Sequence, residues 1–273
     1  MTFDGRQVTW QDFFDSGGRC ATPNISSVET RPIGQRLKGL KVNRKNLKET
    51  TLIKVFFHVI QNPAGDGYIA KSQIDEQMTV LNASFGNHFK FHLTKIDRPI
   101  NSEWYENMYH TSPAEAAAIE ALGVREKDVL NIYTAHLKGS NGWAFYPWEF
   151  SANPYRDGVM IRFSTLPGGT QEYYDKGKTL VHEVGHWLGL FHTFSNSCYP
   201  PGDYVDDTAP EQIEGRRCYL GRDSCPGDKD PDPVQNFMDY SEDKCTIEFT
   251  PKQLERMDSK FEMCRRQPGP CSP

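Results

Sequence analysis

Three histidines and one glutamate lie close together in the stretch HEVGHWLGLFH. Residues four apart share one face of a helix, so His182 and His186 can bind one metal ion with Glu183 beside it. Gly189 can adopt a positive φ that ends the helix and returns His192 as a third ligand. Three protein ligands leave the fourth position of a tetrahedral zinc ion open to water, as in catalytic zinc sites.

The pattern predicts a zinc-dependent endopeptidase. Glu183 is the expected general base, which takes a proton from a water activated by zinc and passes it to the leaving amine. The alternative is a buried helix whose histidines are satisfied polar groups of the core. The two interpretations are compatible, because Val184 and Leu188 also look like core residues.

The stretch NFMDY follows the histidines after a loop rich in Asp, Gly, Pro and Cys. Together with GKTLVHEVGHWLGLFHTF and GDYVDDTAPE, it resembles the pappalysin family of metzincin zinc metalloproteases, and within it the secreted microbial enzymes. The resemblance covers residues 50 to 265. It implies that Met238 forms an apolar floor under the zinc ligands and that Tyr240 approaches the metal from the far side. The Tyr240 hydroxyl is expected to stabilise the oxyanion. The alternative for each residue is ordinary packing.

Hydrophobic periodicity and the resemblance together predict a metzincin-like α/β (α+β) fold, in which a twisted, mostly parallel mixed sheet packs on the zinc-binding helix. Predicted strands lie at 51–62, 89–96, 128–137, 142–148 and 157–164. Predicted helices lie at 74–85, at 112–123 with Ser112 as N-cap, and at 250–264 with Thr250 and Gln253 as a capping box.

The polar first 50 residues show little periodicity and are expected to be an N-terminal arm or prosegment. Residues 51–273 are expected to form the catalytic domain. Within it, 51–190 would be an N-terminal subdomain with the zinc helix, and 191–273 a loop-rich C-terminal subdomain with the methionine turn.

Six of the seven cysteines follow the histidines, as expected of a protein from an oxidising compartment. The four from Cys198 to Cys245 allow three pairings by spacing alone, and a second zinc site built from them is the competing interpretation. The family resemblance favours Cys198–Cys225 and Cys218–Cys245. Cys264 and Cys271 bracket a short tail and would close a third loop.

The remaining cysteine, Cys20, lies in GGRCATP, well before the first strand. One hypothesis makes it a latent-state zinc ligand, with Arg19 orienting the segment and proteolysis releasing activity. The stretch is similar to the Arg-Cys switch motifs of other metzincins, although Ala21 replaces their usual glycine. The other hypothesis is a disulfide between Cys20 and Cys264 or Cys271.

The segment GDYVDDT concentrates oxygen donors in a turn near the predicted cleft. Asp203, Asp206 and Thr208 are candidate Ca²⁺ ligands, which the family resemblance also supports. The alternative is a solvated turn that is capped by its own side chains. Residues 242–244 are expected, by analogy with the family, to line the specificity pocket.

The composition fits a secreted soluble enzyme. A net charge of -5 argues against nucleic acid as a partner, and no apolar run is long enough to span a membrane. No secretion signal is visible at the N-terminus, so either the numbering starts inside a precursor or export uses another route. We expect a monomer whose substrates are proteins or peptides, bound extended along a strand at Trp143–Trp148. A peptidase-shaped binding protein is the alternative, but Glu183 would then have no use.

Overall fold

The computed structural model describes residues 2–3, 6–7, 18–24, 49–227, 230–267, 271 and 273. Most of the predicted prosegment therefore lies outside the described residues. The main sheet consists of β1 (Thr51–Val59), β2 (Phe89–Asp97), β3 (Val129–Ala135), β4 (Gly142–Ala144) and β5 (Val159–Arg162). The α-helices are α1 (Lys71–Phe85), α2 (Ser102–Asn107), α3 (Pro113–Leu122), α4 (Pro147–Ala152), α5 (Lys178–Trp187) and α6 (Pro251–Phe261).

The strands lie in the order β2-β1-β3-β5-β4. Neighbours are parallel except at one edge, where β4 pairs antiparallel with β5. This confirms the predicted mixed, mostly parallel sheet. Every residue of β3 is buried, as expected of a central strand whose two faces are both covered.

Helix α1 buries the apolar stripe that its sequence predicts, and α3 and α6 begin at their predicted N-caps. Two short elements differ from expectation. The strand predicted at 142–148 ends at Ala144, because Pro147 lacks an N–H for the sheet and instead starts α4. Helix α2 was not predicted, since its six residues are too few to show helical periodicity.

Helix α5 packs against α1 and the strands β4 and β5, and its residues from Thr179 to Trp187 are all buried. It ends where predicted, because Gly189 adopts a φ of +99° that turns the chain away. From there to α6, the described residues form loops and turns rather than strands or helices. No helix in the described part of the chain is long and apolar enough to cross a membrane.

A buried carboxyl group connects α3 to the edge strand. Glu115 is 1% exposed, and its Oε1 accepts a 2.6 Å hydrogen bond from the indole of Trp143. Its Oε2 accepts from the backbone of Thr111, and Arg156 lies 3.7 Å away. Burial outweighs these contacts and raises the pKa of Glu115 to about 7.

This raised pKa predicts a pH-dependent loss of stability. A carboxyl group that holds its proton more tightly in the folded than in the unfolded state stabilises the folded protein. This contribution is complete below the ordinary pKa of 4.5 and is lost as the pH rises to about 7. Glu115→Gln cannot ionise, so its free energy of unfolding should fall less over this range, by on the order of 2–3 kcal/mol. Urea unfolding of the metal-free, oxidised protein at several pH values would measure this.

The exposed Glu120 of the same helix provides a matched control, Glu120→Gln. Parallel stability profiles for the wild type and Glu115→Gln across this pH range would contradict the prediction.

Candidate active site

Helix α5 and the turn that follows it bring three imidazoles together. His182 and His186 lie one helical turn apart, and the turn at Gly189 returns His192 to them. All three are fully buried. The Nε2 atom of His186 lies 3.1 Å from that of His182 and 3.0 Å from that of His192, so the three nitrogens face one centre.

Hydrogen bonds at the opposite ring nitrogen orient each imidazole. The Nδ1–H of His182 donates to the carbonyl of Phe237, and that of His186 donates to the carbonyl of Leu190. With the Nδ1 protons assigned in this way, the Nε2 lone pairs are left free to bind a metal. Both carbonyls lie between α5 and α6, so the orientation of the imidazoles depends on the chain that follows the helix.

Electrostatics favour the neutral form that binds metals. Burial lowers the pKa of His186 to about 3, and burial together with the neighbouring imidazoles lowers the pKa of His182 and His192 well below the ordinary value. Three neutral imidazoles facing one point fit zinc, with room for one further ligand.

The fourth group at this centre is the thiol of Cys20. Its Sγ and one ring nitrogen of each histidine all lie within 4.8 Å of one another. Among the described residues, this is the one such group of three or more potential His, Cys, Asp or Glu ligands. The segment 18–24, here called the cleft segment, thus runs through the predicted active site.

The cleft segment pairs with β4, the rim strand. Cys20 forms a parallel bridge with Gly142, in which the amide of Ala21 donates to the Gly142 carbonyl at 2.9 Å. One residue earlier, the amide of Asn141 donates to the carbonyl of Arg19 at 3.2 Å. The rim strand therefore holds an extended chain across the three histidines.

Glu183 lies beside the same centre and is fully buried. Its Oε2 accepts hydrogen bonds from the Cys20 thiol at 3.2 Å and from the Thr22 hydroxyl at 3.1 Å. Burial raises the pKa of Glu183 to about 8, although both contacts oppose the shift. The rim strand approaches so closely that a Cβ on Gly142 would lie 2.9 Å from Glu183 Cγ, which explains the glycine.

The methionine turn, residues 236–240, lies under the histidines. Met238 is fully buried, and a Cβ on Gly185 of α5 would lie 2.5 Å from its sulfur. The Tyr240 hydroxyl donates a 3.0 Å hydrogen bond to the carbonyl of Cys20. The structure therefore places both family-implied residues at the histidine cluster.

Arg19 fills a pocket next to this centre and is fully buried. Its guanidinium donates to the carbonyl of Ser241, lies 3.7 Å from the carboxylate of Asp243 and lies 5.3 Å from the ring centre of Tyr174. The neighbouring Glu242 instead pairs with Lys244 at 2.7 Å. Of the predicted pocket residues, Asp243 is the acid that faces Arg19.

The contacts of Thr22 and Asn24 could not be predicted from the sequence. Asn24 Oδ1 accepts a 2.7 Å hydrogen bond from Nδ1 of His192, and so it orients the third imidazole as the backbone carbonyls orient the other two. Apart from their proximity to Cys20 in the chain, nothing in the sequence pointed to these two residues.

Three disulfides form the pairs named from the sequence: Cys198–Cys225, Cys218–Cys245 and Cys264–Cys271. Cys20 is a buried free thiol, so the structure does not contain the alternative disulfide between Cys20 and Cys264 or Cys271.

The calcium interpretation is not supported, because the structure does not bring its three candidates together. Asp203 is buried, and its Oδ1 accepts from the Thr208 hydroxyl at 2.6 Å. The Asp206 side chain is 91% exposed and pairs with Lys252. The turn is capped by its own side chains, which was the alternative interpretation.

Comparison with known proteins places these residues in a family context. The sequence profile of the family described as pregnancy-associated plasma protein-A matches residues 125–262. An extracellular metalloprotease of Verticillium alfalfae is 38% identical over 234 residues, which cover 82% of this chain and 81% of that protein. Extracellular metalloprotease 1 of Coccidioides posadasii is 38% identical over 220 residues, which cover 78% of each.

Solved structures give the same picture. Mature mirolysin of Tannerella forsythia, in complex with a cleaved peptide, superposes with a TM-score of 0.70 at 29% identity, covering 80% of this chain and 95% of that one. A mutant of promirolysin from the same organism superposes with a TM-score of 0.72 at 26% identity and covers 90% of this chain and 95% of that one.

Proposed function

The chain belongs to the pappalysin family of zinc metalloendopeptidases, and we propose that it is a secreted enzyme that holds one catalytic zinc ion with His182, His186 and His192. The observation that carries this proposal is the convergence of three buried, neutral imidazoles beside the buried carboxyl group of Glu183. Extracellular relatives and three disulfides support secretion. Because one chain supplies the whole site, we expect it to act as a monomer.

When bound, zinc activates a water and polarises the scissile carbonyl. Glu183, which is buried beside the histidines, would take the proton of the attacking water and return it to the leaving amine. The Tyr240 hydroxyl donates to the carbonyl of Cys20, and it is suited to donate to the carbonyl oxygen of a substrate as negative charge develops there. The rim strand binds the substrate main chain by strand addition.

Removing the base should separate metal binding from catalysis. Glu183→Ala should keep one zinc per chain and lose about 10²–10⁴-fold in the kcat of the processed enzyme, since proton transfer contributes that much. Peptide hydrolysis and metal content would be measured on the same sample, with Glu120→Ala as an exposed control. Near-normal turnover in the zinc-loaded Glu183→Ala enzyme would exclude the role of base.

Residues 1–50 act as a prosegment that keeps the enzyme latent, and 51–273 form the catalytic domain, with subdomains at 51–190 and 191–273. The support is the position of the cleft segment. The Sγ atom of Cys20 and one ring nitrogen of each histidine lie within 4.8 Å of one another, and Tyr240, Gly142 and Asn141 bind the main chain of Cys20 and its neighbours. A substrate cannot enter while the cleft segment occupies the rim strand.

Latency makes Cys20→Ala an activating change. The unprocessed Cys20→Ala chain should hydrolyse peptides about tenfold faster than the unprocessed wild type, or more. Each loss of about 1.4 kcal/mol of inhibitory binding energy corresponds to a factor of ten in rate. The activity after limited trypsin digestion at the basic residues between Arg31 and Lys48 is the upper limit for the activity of the unprocessed variant. The chelator 1,10-phenanthroline should abolish the activity of both the variant and the digested enzyme. An unprocessed Cys20→Ala chain no more active than the wild type would rule out the thiol as inhibitor.

The pocket of Arg19 indicates which substrates fit. Asp243 is buried beside the guanidinium, and the Tyr174 ring stacks near it, so the pocket suits a basic side chain next to the scissile bond. We therefore expect a preference for arginine at the position that enters this pocket.

Asp243→Asn should lower the ratio of kcat/KM for an arginine peptide to that for its leucine analogue by about tenfold, as an ion-pair loss of 1.4 kcal/mol would do. Peptides that differ at single positions around the scissile bond would show which position is affected. Glu242→Gln is the control, because the neighbouring Glu242 pairs with Lys244 at 2.7 Å, whereas the carboxylate of Asp243 faces Arg19. If the two variants lose the preference equally, the assignment of the pocket is wrong.

A further inference from the structure

The hydroxyl of Thr22 makes two hydrogen bonds of different kinds, both inside the cleft. It donates to Glu183 Oε2 at 3.1 Å and accepts from the backbone N–H of Ala144 at 2.9 Å. A hydroxyl has one proton to donate and lone pairs to accept, so both bonds are satisfied at once. Thr22 is only 4% exposed, which leaves water little access to either partner.

Each partner has a role in the active enzyme. Glu183 is the proposed base, and Ala144 belongs to the rim strand along which the substrate main chain binds. While Thr22 is in place, the amide of Ala144 cannot donate to a substrate carbonyl, and the proton-accepting oxygen of Glu183 is covered. One side chain therefore occupies both a catalytic group and a substrate-binding group.

Two donors of the cleft segment share one oxygen of Glu183. Its Oε2 receives hydrogen bonds from the Cys20 thiol and the Thr22 hydroxyl, whereas its Oε1 has no hydrogen-bond partner among the described residues. Removing the thiol by substitution therefore leaves the Thr22 hydroxyl on the proposed base.

We propose that Thr22 is a second inhibitory contact of the latent enzyme, which blocks the base Glu183 and the rim-strand amide of Ala144 independently of the cysteine. The proposal rests on the proposed function, because it presupposes a latent zinc peptidase. It adds that the enzyme stays partly inhibited after the Cys20 thiol has been removed from the metal site.

The test uses the full, unprocessed chain in the Cys20→Ala background, loaded with zinc. Thr22→Val keeps the shape of the side chain and removes both hydrogen bonds, whereas Thr22→Ser keeps the hydroxyl. Thr79→Val is the matched control, since Thr79 is an exposed residue of α1 whose hydroxyl bonds only to its own helix. The readouts are the initial rate of peptide hydrolysis, chain integrity by mass spectrometry and zinc content.

Thr22→Val should raise the rate of the Cys20→Ala chain by about tenfold, because it removes two hydrogen bonds that hold the segment in the cleft. Thr22→Ser and Thr79→Val should leave the rate near that of Cys20→Ala alone. After trypsin processing, the Thr22→Val and wild-type chains should have equal kcat/KM, since the released segment no longer contributes to the site.

Two outcomes would overturn the role of Thr22. Equal rates for Thr22→Val and the Cys20→Ala parent would show that the contact inhibits nothing. Equal activation by Thr22→Ser and Thr22→Val would show that packing, and not the hydroxyl, matters. Absence of cleavage in every chain, even after processing, would instead refute the proposed peptidase function.

Discussion

The site depends on one constraint: three imidazoles must present their Nε2 atoms to one point in the interior while remaining neutral. Burial supplies the neutrality, because it lowers the pKa of each ring. Orientation comes from carbonyls that the histidine helix does not itself provide. The Phe237 carbonyl directs His182 from the methionine turn, and the Leu190 carbonyl directs His186 from the chain after Gly189.

The chain between α5 and α6 therefore contributes directly to the orientation of the histidines. Arg222, which lies between two disulfide cysteines in the chain, pairs with the buried carboxylates of Glu211 and Asp232. Glu211 in turn accepts a 2.8 Å hydrogen bond from Thr193, the neighbour of His192. Between Gly189 and α6, where the described residues form loops and turns, disulfides and buried ion pairs hold the chain and connect the outer loops to the third imidazole.

The cleft segment matches the groups expected to bind substrates. Arg19 enters an acidic pocket, Cys20 reaches the metal centre, and Thr22 and Asn24 contact the proposed base and the third imidazole. In the proposed latent enzyme, such contacts would also indicate the specificity of the cleft, since the side chains of the segment contact the groups expected to bind a substrate. The proposed inhibition and recognition would then depend on the same surface.

The sequence by itself determined the features set by short-range spacing. The histidines and Glu183 lie within two turns and a glycine bend, and the strands and long helices follow from periodicity, so local geometry was sufficient for them. Tertiary structure decided what depends on contacts between distant residues: the early end of the rim strand, the capping of the buried Asp203 by Thr208, and the partners of Thr22 and Asn24. Thr22 and Glu183 are separated by 161 positions, and no local pattern encodes a hydrogen bond across that distance.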